Sequence, residues 1–173
     1  MAYVTTTTTP AGPFTVIADD DDTVLASGWT PDRDRLLRYI AADLRPARLA
    51  DRDGGGPVAA AVTAYHDGDL AAPDAVAVRH SSGVFMTAAW GALRKVAPGE
   101  VISYRELAHR AGSPGAIRAA GSACARNPTA LFIPCHRVRR GDGTLGGFGY
   151  GLDIKRWLLD HEGAPGHTGT LPL

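Results

Sequence analysis

Short apolar stretches alternate with polar turns along the first half of the chain. Residues 12–18 (GPFTVIA) and 23–29 (TVLASGW) are rich in β-branched and aromatic side chains, and the acidic run 19–22 separates them. Two stretches of this length and composition, joined by a short polar segment, predict the two strands of a β-hairpin.

Helical signals follow the predicted hairpin. The segment 30–32 (TPD) offers an N-cap, a proline in the first turn and an early negative charge, so we expect a helix that continues through Leu44. A second short helix is expected at 58–66. The stretch 67–80 contains glycine and proline and is expected to connect two domains.

The second half of the chain has a helical spacing of apolar positions. Ser82 is placed to cap a helix over 83–96, whose apolar face would contain Phe85, Ala89, Leu93 and Val96. The sequence Ser103-Tyr-Arg-Glu106 is a capping box, which predicts a helix that begins at Tyr104 and ends at Gly112.

A tight turn separates the next two predicted helices. Ser113-Pro114 follows Gly112 directly and predicts a helix to about Ala125, so the pair has the pattern of a helix-turn-helix. An ordinary corner between two helices has the same pattern. On the second helix we expect Ile117, Ala120 and Cys124 to face inward, and Arg118 and Ser122 to face outward.

The remaining elements lead to the chemistry of the chain. A strand is expected at 130–133, a glycine-rich loop at 141–151 and an amphipathic helix at 152–162. We therefore expect an α+β protein. Its expected domains are 1–78 (an α/β domain with linker) and 79–163 (a mostly helical domain), with a flexible tail at 164–173.

Composition limits the class of protein. Hydrophobic residues make up 45% of the 173 residues, which is typical of a globular chain. The apolar runs are shorter than the ~20 residues that a membrane span requires. The N-terminal sequence has neither the basic start nor the apolar centre of a secretory signal. We expect a cytoplasmic protein without a membrane partner.

Charge is unevenly distributed, although the 18 basic and 18 acidic residues cancel. Residues 1–78 contain 6 arginines and 12 acidic residues, whereas 79–173 contain 12 basic and 6 acidic residues. A basic half is typical of nucleic-acid contact, although chance variation of the surface would also explain it.

Cysteine is rare, since only Cys124 and Cys135 are present. Two cysteines exclude a disulfide framework and a four-cysteine zinc site. Cys135 follows a predicted strand and a proline, and His136 and several arginines come next. Positive charge and an imidazole lower the pKa of a thiol, with Glu162 a candidate to orient the imidazole. A buried cysteine beside a surface histidine is the alternative.

Five consecutive residues, Pro134-Cys135-His136-Arg137-Val138, resemble the active-site signature of the O(6)-alkylguanine-DNA alkyltransferases. Stretches elsewhere are similar to the same family, more loosely in the first half. They are Asn127-Pro128, Gly99 to Tyr104 (GEVISY), Arg118 to Gly121 (RAAG), Lys155 to Gly163 (KRWLLDHEG), Thr9 to Pro13 (TPAGP) and Val62 to Leu70.

The resemblance implies a DNA-repair protein that removes alkyl groups from the six-oxygen of guanine, and from the four-oxygen of thymine, by irreversible one-time transfer to Cys135. His136, acting through water, and Glu162 would hold the thiolate ready. Tyr104 would protonate the departing guanine, and Asn127 would fix the turn beside the cysteine. The resemblance implies no cofactor. The zinc ligands of some members are missing, so no metal is expected.

The resemblance also implies a fold and a partner. A small ribonuclease H-like domain would precede a winged helix-turn-helix-like domain, and the protein would act as a monomer on double-stranded DNA with alkylated guanine. The helix-turn-helix would bind the minor groove, and the damaged nucleotide would be flipped out because its alkylated atom is otherwise out of reach. Arg118 would replace the extruded base. Small residues suit a close approach to the groove, and here they are Ala119, Ala120, Gly121 and Ser122.

The expected substrate pocket contains Val138, whose carbonyl matches the one that contacts the guanine amino group, and the sequence Phe148-Gly149-Tyr150. The family usually has tyrosine at the first of these three positions and glycine at the last. Phe148 therefore lacks a hydroxyl, and Tyr150 adds bulk at the mouth of the pocket. These differences bear on the size of the alkyl group that the pocket accepts.

Two other functions are compatible with parts of the sequence. Alkyltransferase-like proteins bind alkylated DNA without transferring the group, but they lack the cysteine that is present here. A helix-turn-helix regulator with a redox-sensitive Cys135 would need a dimerisation surface and a second reading element, and the sequence indicates neither.

Overall fold

The computed structural model describes residues 1–165, and the expected tail at 166–173 lies outside them. Helices and a β-sheet are both present, so the fold is of the α+β class. Within residues 1–165, no helix combines the length and the apolar character needed to cross a membrane.

The chain forms two units, and one of them is discontinuous. The first comprises Met1–Ser82 together with Pro128–Phe132, and the second comprises Gly83–Asn127 together with the described residues from Ile133 onward. The expected single division between residues 78 and 79 differs from this arrangement, because the segment 128–132 belongs with the first unit.

A four-stranded sheet forms the centre of the first unit. Its strands are β1 (Ala2–Thr9), β2 (Gly12–Asp19), β3 (Val24–Gly28) and β4 (Leu49–Asp51). The strand order is β3-β2-β1-β4, with β4 parallel to β1 and the other pairs antiparallel. The pairing of β2 with β3 confirms the predicted hairpin.

Strand β1 is an element that the hydrophobic pattern does not predict. Its run of threonines, residues 5–9, has no alternation of apolar and polar positions. Threonine is β-branched and suits a pleated strand, and Thr5 and Thr9 are buried. Every residue of β1 pairs with β2, so pairing rather than local pattern determines this strand.

The helices of the first unit are α1 (Arg33–Tyr39) and α2 (Gly56–His66). Asp32 caps α1 by accepting a hydrogen bond from the Arg35 N–H, as the sequence predicts. The expected continuation of this helix to Leu44 is wrong. Ile40 takes an extended conformation (φ −76°, ψ 127°) and is buried, so packing ends the helix there.

An aromatic cluster lies in the core of the first unit. The rings of Phe14 and Trp29 meet edge to face with centroids 4.9 Å apart. Trp29 Nε1 donates to His66 Nε2 at 3.3 Å, and His66 Nδ1 lies 2.7 Å from the Val62 carbonyl oxygen. Because the indole N–H can only donate, this buried imidazole is neutral and carries its proton on Nδ1.

The segment 128–132 joins the edge of the sheet at β3. The Ser27 N–H donates to the Pro128 carbonyl at 2.9 Å, and Ser27 Oγ donates to the Ala130 carbonyl at 2.8 Å. The strand expected at 130–133 is wrong, because Leu131 has a φ of +78° that interrupts the extended conformation.

Helices make up most of the described part of the second unit. Its elements are α3 (Val84–Arg94), β5 (Ile102–Ser103), α4 (Tyr104–Arg110), α5 (Ile117–Ala125), β6 (Val138–Arg139) and α6 (Leu152–His161). Strands β5 and β6 pair in parallel.

The N-cap predicted before α4 is confirmed, since Ser103 Oγ accepts a hydrogen bond from the Glu106 N–H at 3.0 Å, whereas the Glu106 carboxylate pairs with Arg110. The other two expected starts are wrong. Gly83 rather than Ser82 occupies the N-cap of α3. Helix α5 begins at Ile117, because residues 113–116 first form a separate turn.

The chain remains packed just past α6. Gly163 has a φ of +71°, and the Ala164 N–H donates to the Leu159 carbonyl at 2.9 Å. This is the hydrogen bond of a Schellman C-cap, a conformation that favours glycine. Ala164 is buried, so the expected flexible tail does not begin at this residue.

Candidate active site

Cys135 begins a turn of 3-10 helix (Cys135–Arg137) directly after Pro134. Its N–H donates to the Ile133 carbonyl at 2.8 Å, and Asn127 Nδ2 donates to the same carbonyl at 2.7 Å. Asn127 also stabilises the thiolate form of Cys135 by a side-chain hydrogen bond. This buried asparagine therefore holds the turn that presents the cysteine.

His136 and Glu162 form a fully enclosed pair. His136 Nε2 lies 3.0 Å from Glu162 Oε2, and both side chains have 0% exposure. Burial lowers the pKa of His136 and outweighs the opposing effect of Glu162, so the imidazole is neutral at rest. A neutral imidazole that donates from Nε2 has an unprotonated Nδ1. This Nδ1 is buried and has no hydrogen-bond partner within residues 1–165, so it is available as a base.

Arg137 fixes the carboxylate of Glu162 from the other side. Its Nε donates to Glu162 Oε1 at 2.9 Å, and its Nη2 donates to Oε2 at 2.8 Å. Its Nη1 donates to the Val96 carbonyl at 2.6 Å. Burial alone raises the pKa of Glu162, but His136 and Arg137 together hold it well below its usual range. The guanidinium thus fixes the carboxylate and does not activate the thiol directly.

The Cys135 thiol is buried and protonated in the free protein. Burial raises its pKa, while the Asn127 hydrogen bond and the charge of Lys155 oppose this increase without reversing it. The sequence predicts the opposite direction from the neighbouring positive charges. The expectation fails because Cys135 is only 8% exposed and because the guanidinium of Arg137 is bound to Glu162.

Tyr104, the first residue of α4, lies against the glycine-rich loop. A Cβ atom added to Gly146 would be 2.7 Å from the tyrosine hydroxyl oxygen, so only glycine permits this approach. Burial, followed by the influence of Cys124 and Cys135, raises the pKa of Tyr104 to about 12. The hydroxyl is therefore protonated at neutral pH and can donate.

Helix α5 has one exposed and one buried face. Arg118 and Ser122 are exposed, as predicted, and Ala120 is buried. The expectation that Ile117 faces inward is wrong, because it is 38% exposed and Ala123 packs inward instead. Of the other residues matched to DNA binding, Ala119 and Gly121 are half-buried.

Comparison with known proteins identifies the family. Residues 84–164 match the profile of the 6-O-methylguanine DNA methyltransferase DNA binding domain. A methylated-DNA–protein-cysteine methyltransferase from Salmonella typhimurium is 36% identical over 90% of this chain and 92% of its own length. The crystal structure of the Mycobacterium tuberculosis O6-methylguanine methyltransferase superposes with a TM-score of 0.77 at 30% identity, covering 94% of this chain and 93% of that one. The chain belongs to the methylated-DNA–protein-cysteine methyltransferase family.

A second solved structure bears on the partner of this methyltransferase family. The M. tuberculosis protein has also been crystallised in complex with DNA, and that chain is 29% identical to this one, with a TM-score of 0.77. It covers 95% of this chain and 96% of its own length. The likeness therefore includes both units of the fold.

Lys155 is a buried cation beside the candidate site that the sequence analysis does not single out. It is completely buried on α6, and its Nζ donates to the carbonyls of Val138, Leu145 and Gly147 at 2.7, 2.6 and 3.3 Å. Burial lowers its pKa. Lys155 lies three and four residues before the buried Leu158 and Leu159, which places it on the apolar face of the helix. A lysine at an apolar position of an amphipathic helix is the sequence signal that could have indicated its burial.

Lys155 also connects two segments that the sequence analysis assigns to the expected substrate pocket. Its three hydrogen bonds join the strand that carries Val138 to the glycine-rich loop. Further along this loop, the rings of Phe148 and Tyr150 meet edge to face with centroids 5.7 Å apart, while Gly149 is exposed. The two aromatic side chains of this segment thus pack against each other.

Proposed function

We propose that this protein repairs DNA by accepting one alkyl group from the six-oxygen of guanine onto Cys135. The observation that carries the proposal is the buried His136–Glu162 pair, in which His136 Nδ1 has no hydrogen-bond partner within residues 1–165. His136 directly follows the cysteine in sequence. Membership of the methyltransferase family supports the reaction type. The four-oxygen of thymine is a second target of the same chemistry.

The transfer is a single displacement at the alkyl carbon. Its bond to Cys135 Sγ forms as its bond to the guanine oxygen breaks, and the electron pair leaves with guanine. Because burial keeps the thiol protonated, its proton must leave in or before this step, and His136 Nδ1 receives it through a bridging water. The thioether is stable, so the protein acts once and uses no cofactor.

Glu162 stabilises the imidazolium that this proton transfer creates. A carboxylate with a strongly lowered pKa remains ionised while the histidine becomes charged. Arg137 holds both carboxylate oxygens, so the pair needs no rearrangement during the reaction. Glu162 therefore positions His136 and does not itself exchange a proton.

Tyr104 supplies the proton that the departing guanine requires at its ring N3. Its hydroxyl is protonated at neutral pH and lies against the loop at Gly146. The carbonyl of Val138, which Lys155 holds, would accept from the guanine amino group. Phe148, Gly149 and Tyr150 would form the wall and mouth of the pocket.

DNA docks through α4 and α5, which we interpret as the helix-turn-helix of a winged domain that follows a ribonuclease H-like domain. Arg118 is exposed on the outer face of α5 and would fill the space that the flipped base leaves. Small residues at 119–122 would allow the helix to enter the minor groove. We expect a monomer to bind the DNA.

Intact mass spectrometry tests this function. The protein is mixed with duplex DNA that contains one methylated guanine, and peptide mapping should locate a single added methyl group on Cys135. Cys135→Ala should bind the same DNA and gain no mass, whereas Cys124→Ala, the matched control, should be methylated normally. Repeated turnover of excess DNA, or a methyl group on Cys124, would refute the proposal.

A further inference from the structure

The first unit contains a cavity for which the transfer reaction has no use. Its volume is about 430 Å³, within the range of sites that hold small molecules. The apolar part of its lining includes Ala2 of β1, Leu25 of β3, and Leu44 and Pro46 of the loop after α1. A small apolar body therefore has a surface on which to pack.

Two arginines also belong to the lining of this cavity. Arg48 and Arg79 both line the cavity, together with the carboxylate of Asp19. Arg79 Nη1 contacts Asp19 Oδ2 at 2.8 Å, whereas Arg48 is exposed and forms no ion pair within residues 1–165. A guanidinium without a counter-ion among the residues that line a mostly apolar cavity is complementary to an anionic group.

These two arginines lie in a unit whose other charged residues are mostly acidic. Residues 1–78 have twice as many acidic residues as arginines, so the first unit is acidic as a whole. Such a surface repels polyanions, including the phosphate backbone of DNA. Asp19 offsets one of the two arginines in the lining, so the side chains leave one net positive charge at the cavity, which favours a small anion that enters individually.

We propose that this cavity binds a small amphipathic monoanion, a carboxylate or sulfonate with an apolar body. The apolar body packs against Leu25, Leu44 and Pro46, and the anionic group lies at Arg48 with the remaining N–H groups of Arg79. The site is independent of Cys135, and its occupancy does not depend on the alkyl-transfer function.

Fluorescence titration with 8-anilinonaphthalene-1-sulfonate tests the proposal on the full-length protein. Binding should saturate at one probe per chain. Octanoate should displace the probe at lower concentration than 1-octanol, which has the same chain length but no charge. In the methyl NMR spectrum, saturation with octanoate should shift Leu25 and Leu44.

Three variants separate this site from nonspecific binding. Arg48→Ala should weaken octanoate about two- to five-fold, as expected of an exposed ion pair, and leave octanol unchanged. Ala47→Trp, which places a large ring at the lining, should weaken both. Arg38→Ala, an exposed arginine on α1 outside the lining, should change neither. Non-saturable probe binding, or octanoate binding that Arg48→Ala and Ala47→Trp leave unchanged, would overturn the proposal.

Discussion

Replacing Glu162 with glutamine removes the charge that stabilises the imidazolium of His136. The glutamine amide has nearly the shape of the carboxylate, and its oxygen at the Oε2 position can continue to accept from His136 Nε2 and Arg137 Nη2. Its NH₂ group then faces Arg137 Nε, which can only donate, so one hydrogen bond to the guanidinium is lost. His136 Nδ1 stays unprotonated at rest, but the imidazolium that forms when it takes the thiol proton no longer has an anionic partner.

The size of the effect follows from the burial of the pair. Removing one partner of a buried ion pair costs roughly 3–5 kcal/mol, and the retained hydrogen bonds place this variant near 3 kcal/mol. For a chain of this length, that loss lowers the Tm by about 6–12 °C. Loss of one preorganised electrostatic contact to a developing charge slows a reaction by roughly 100- to 1,000-fold, so transfer should fall about 100-fold or more in the folded variant.

Acid should affect the two proteins differently. The pKa of Glu162 is lower in the folded protein than its ordinary value of 4.5. Its contribution to stability is therefore complete above 4.5 and is lost as the pH falls towards the folded pKa, because the unfolded chain binds the proton first. Glutamine does not titrate, so the difference in stability between wild type and variant should shrink below pH 4.5.

The assay is single-turnover transfer of a methyl group from duplex DNA, measured together with thermal unfolding and the ¹⁵N shifts of His136. Asp160→Asn on the exposed face of α6 is the matched control and should behave as the wild type. The ¹⁵N shifts should show the same His136 tautomer in both proteins, and if Glu162→Gln then transfers at the wild-type rate, the proposed role of the pair is refuted. A slow rate fully accounted for by unfolded protein would refute it equally.

Three further predictions follow from neighbouring contacts. Because burial raises the pKa of Cys135, its thiol in the free protein should react with iodoacetamide more slowly than a free cysteine at neutral pH; fast alkylation would contradict this. Lys155→Met should destabilise the protein by about 2–4 kcal/mol and slow transfer, because three carbonyls lose a charged donor, and denaturant unfolding should show this; unchanged stability would contradict it. Gly146→Ala should slow transfer by displacing Tyr104, whereas Gly143→Ala, at a similar positive φ but with no atom within 4 Å, should cost only backbone strain; equal rates would argue against the contact.

Local signals predicted the parts of the fold that depend on neighbouring residues. The hairpin of β2 and β3 follows from composition and spacing, and the Ser103 cap follows from a four-residue pattern. Strand β1 could not be predicted in this way, because its pairing with β2 determines it. The early end of α1 at Ile40 likewise results from burial, which propensity does not report.

Contacts that local sequence does not report also limit the prediction of the candidate site. The sequence indicates Cys135, His136 and Glu162, and the structure joins the last two by a hydrogen bond. The sequence indicates neither the burial of Cys135 nor the ion pair of Arg137 with Glu162, and for these reasons it predicts the wrong direction for the thiol pKa. The orientation of a buried guanidinium depends on contacts that are distant in sequence. For Arg137 these contacts are with residues 96 and 162.

The first unit consists of two separate segments of the chain, so a single cut cannot separate the two units. A fragment that starts at residue 83 would contain the whole second unit, but its segment 128–132 would lose the backbone and hydroxyl donors of Ser27. The chain returns to the second unit at Ile133, only two residues before the acceptor cysteine. A single cut or gene fusion between the halves therefore leaves the approach to Cys135 without its support, so recombination should exchange the two units together.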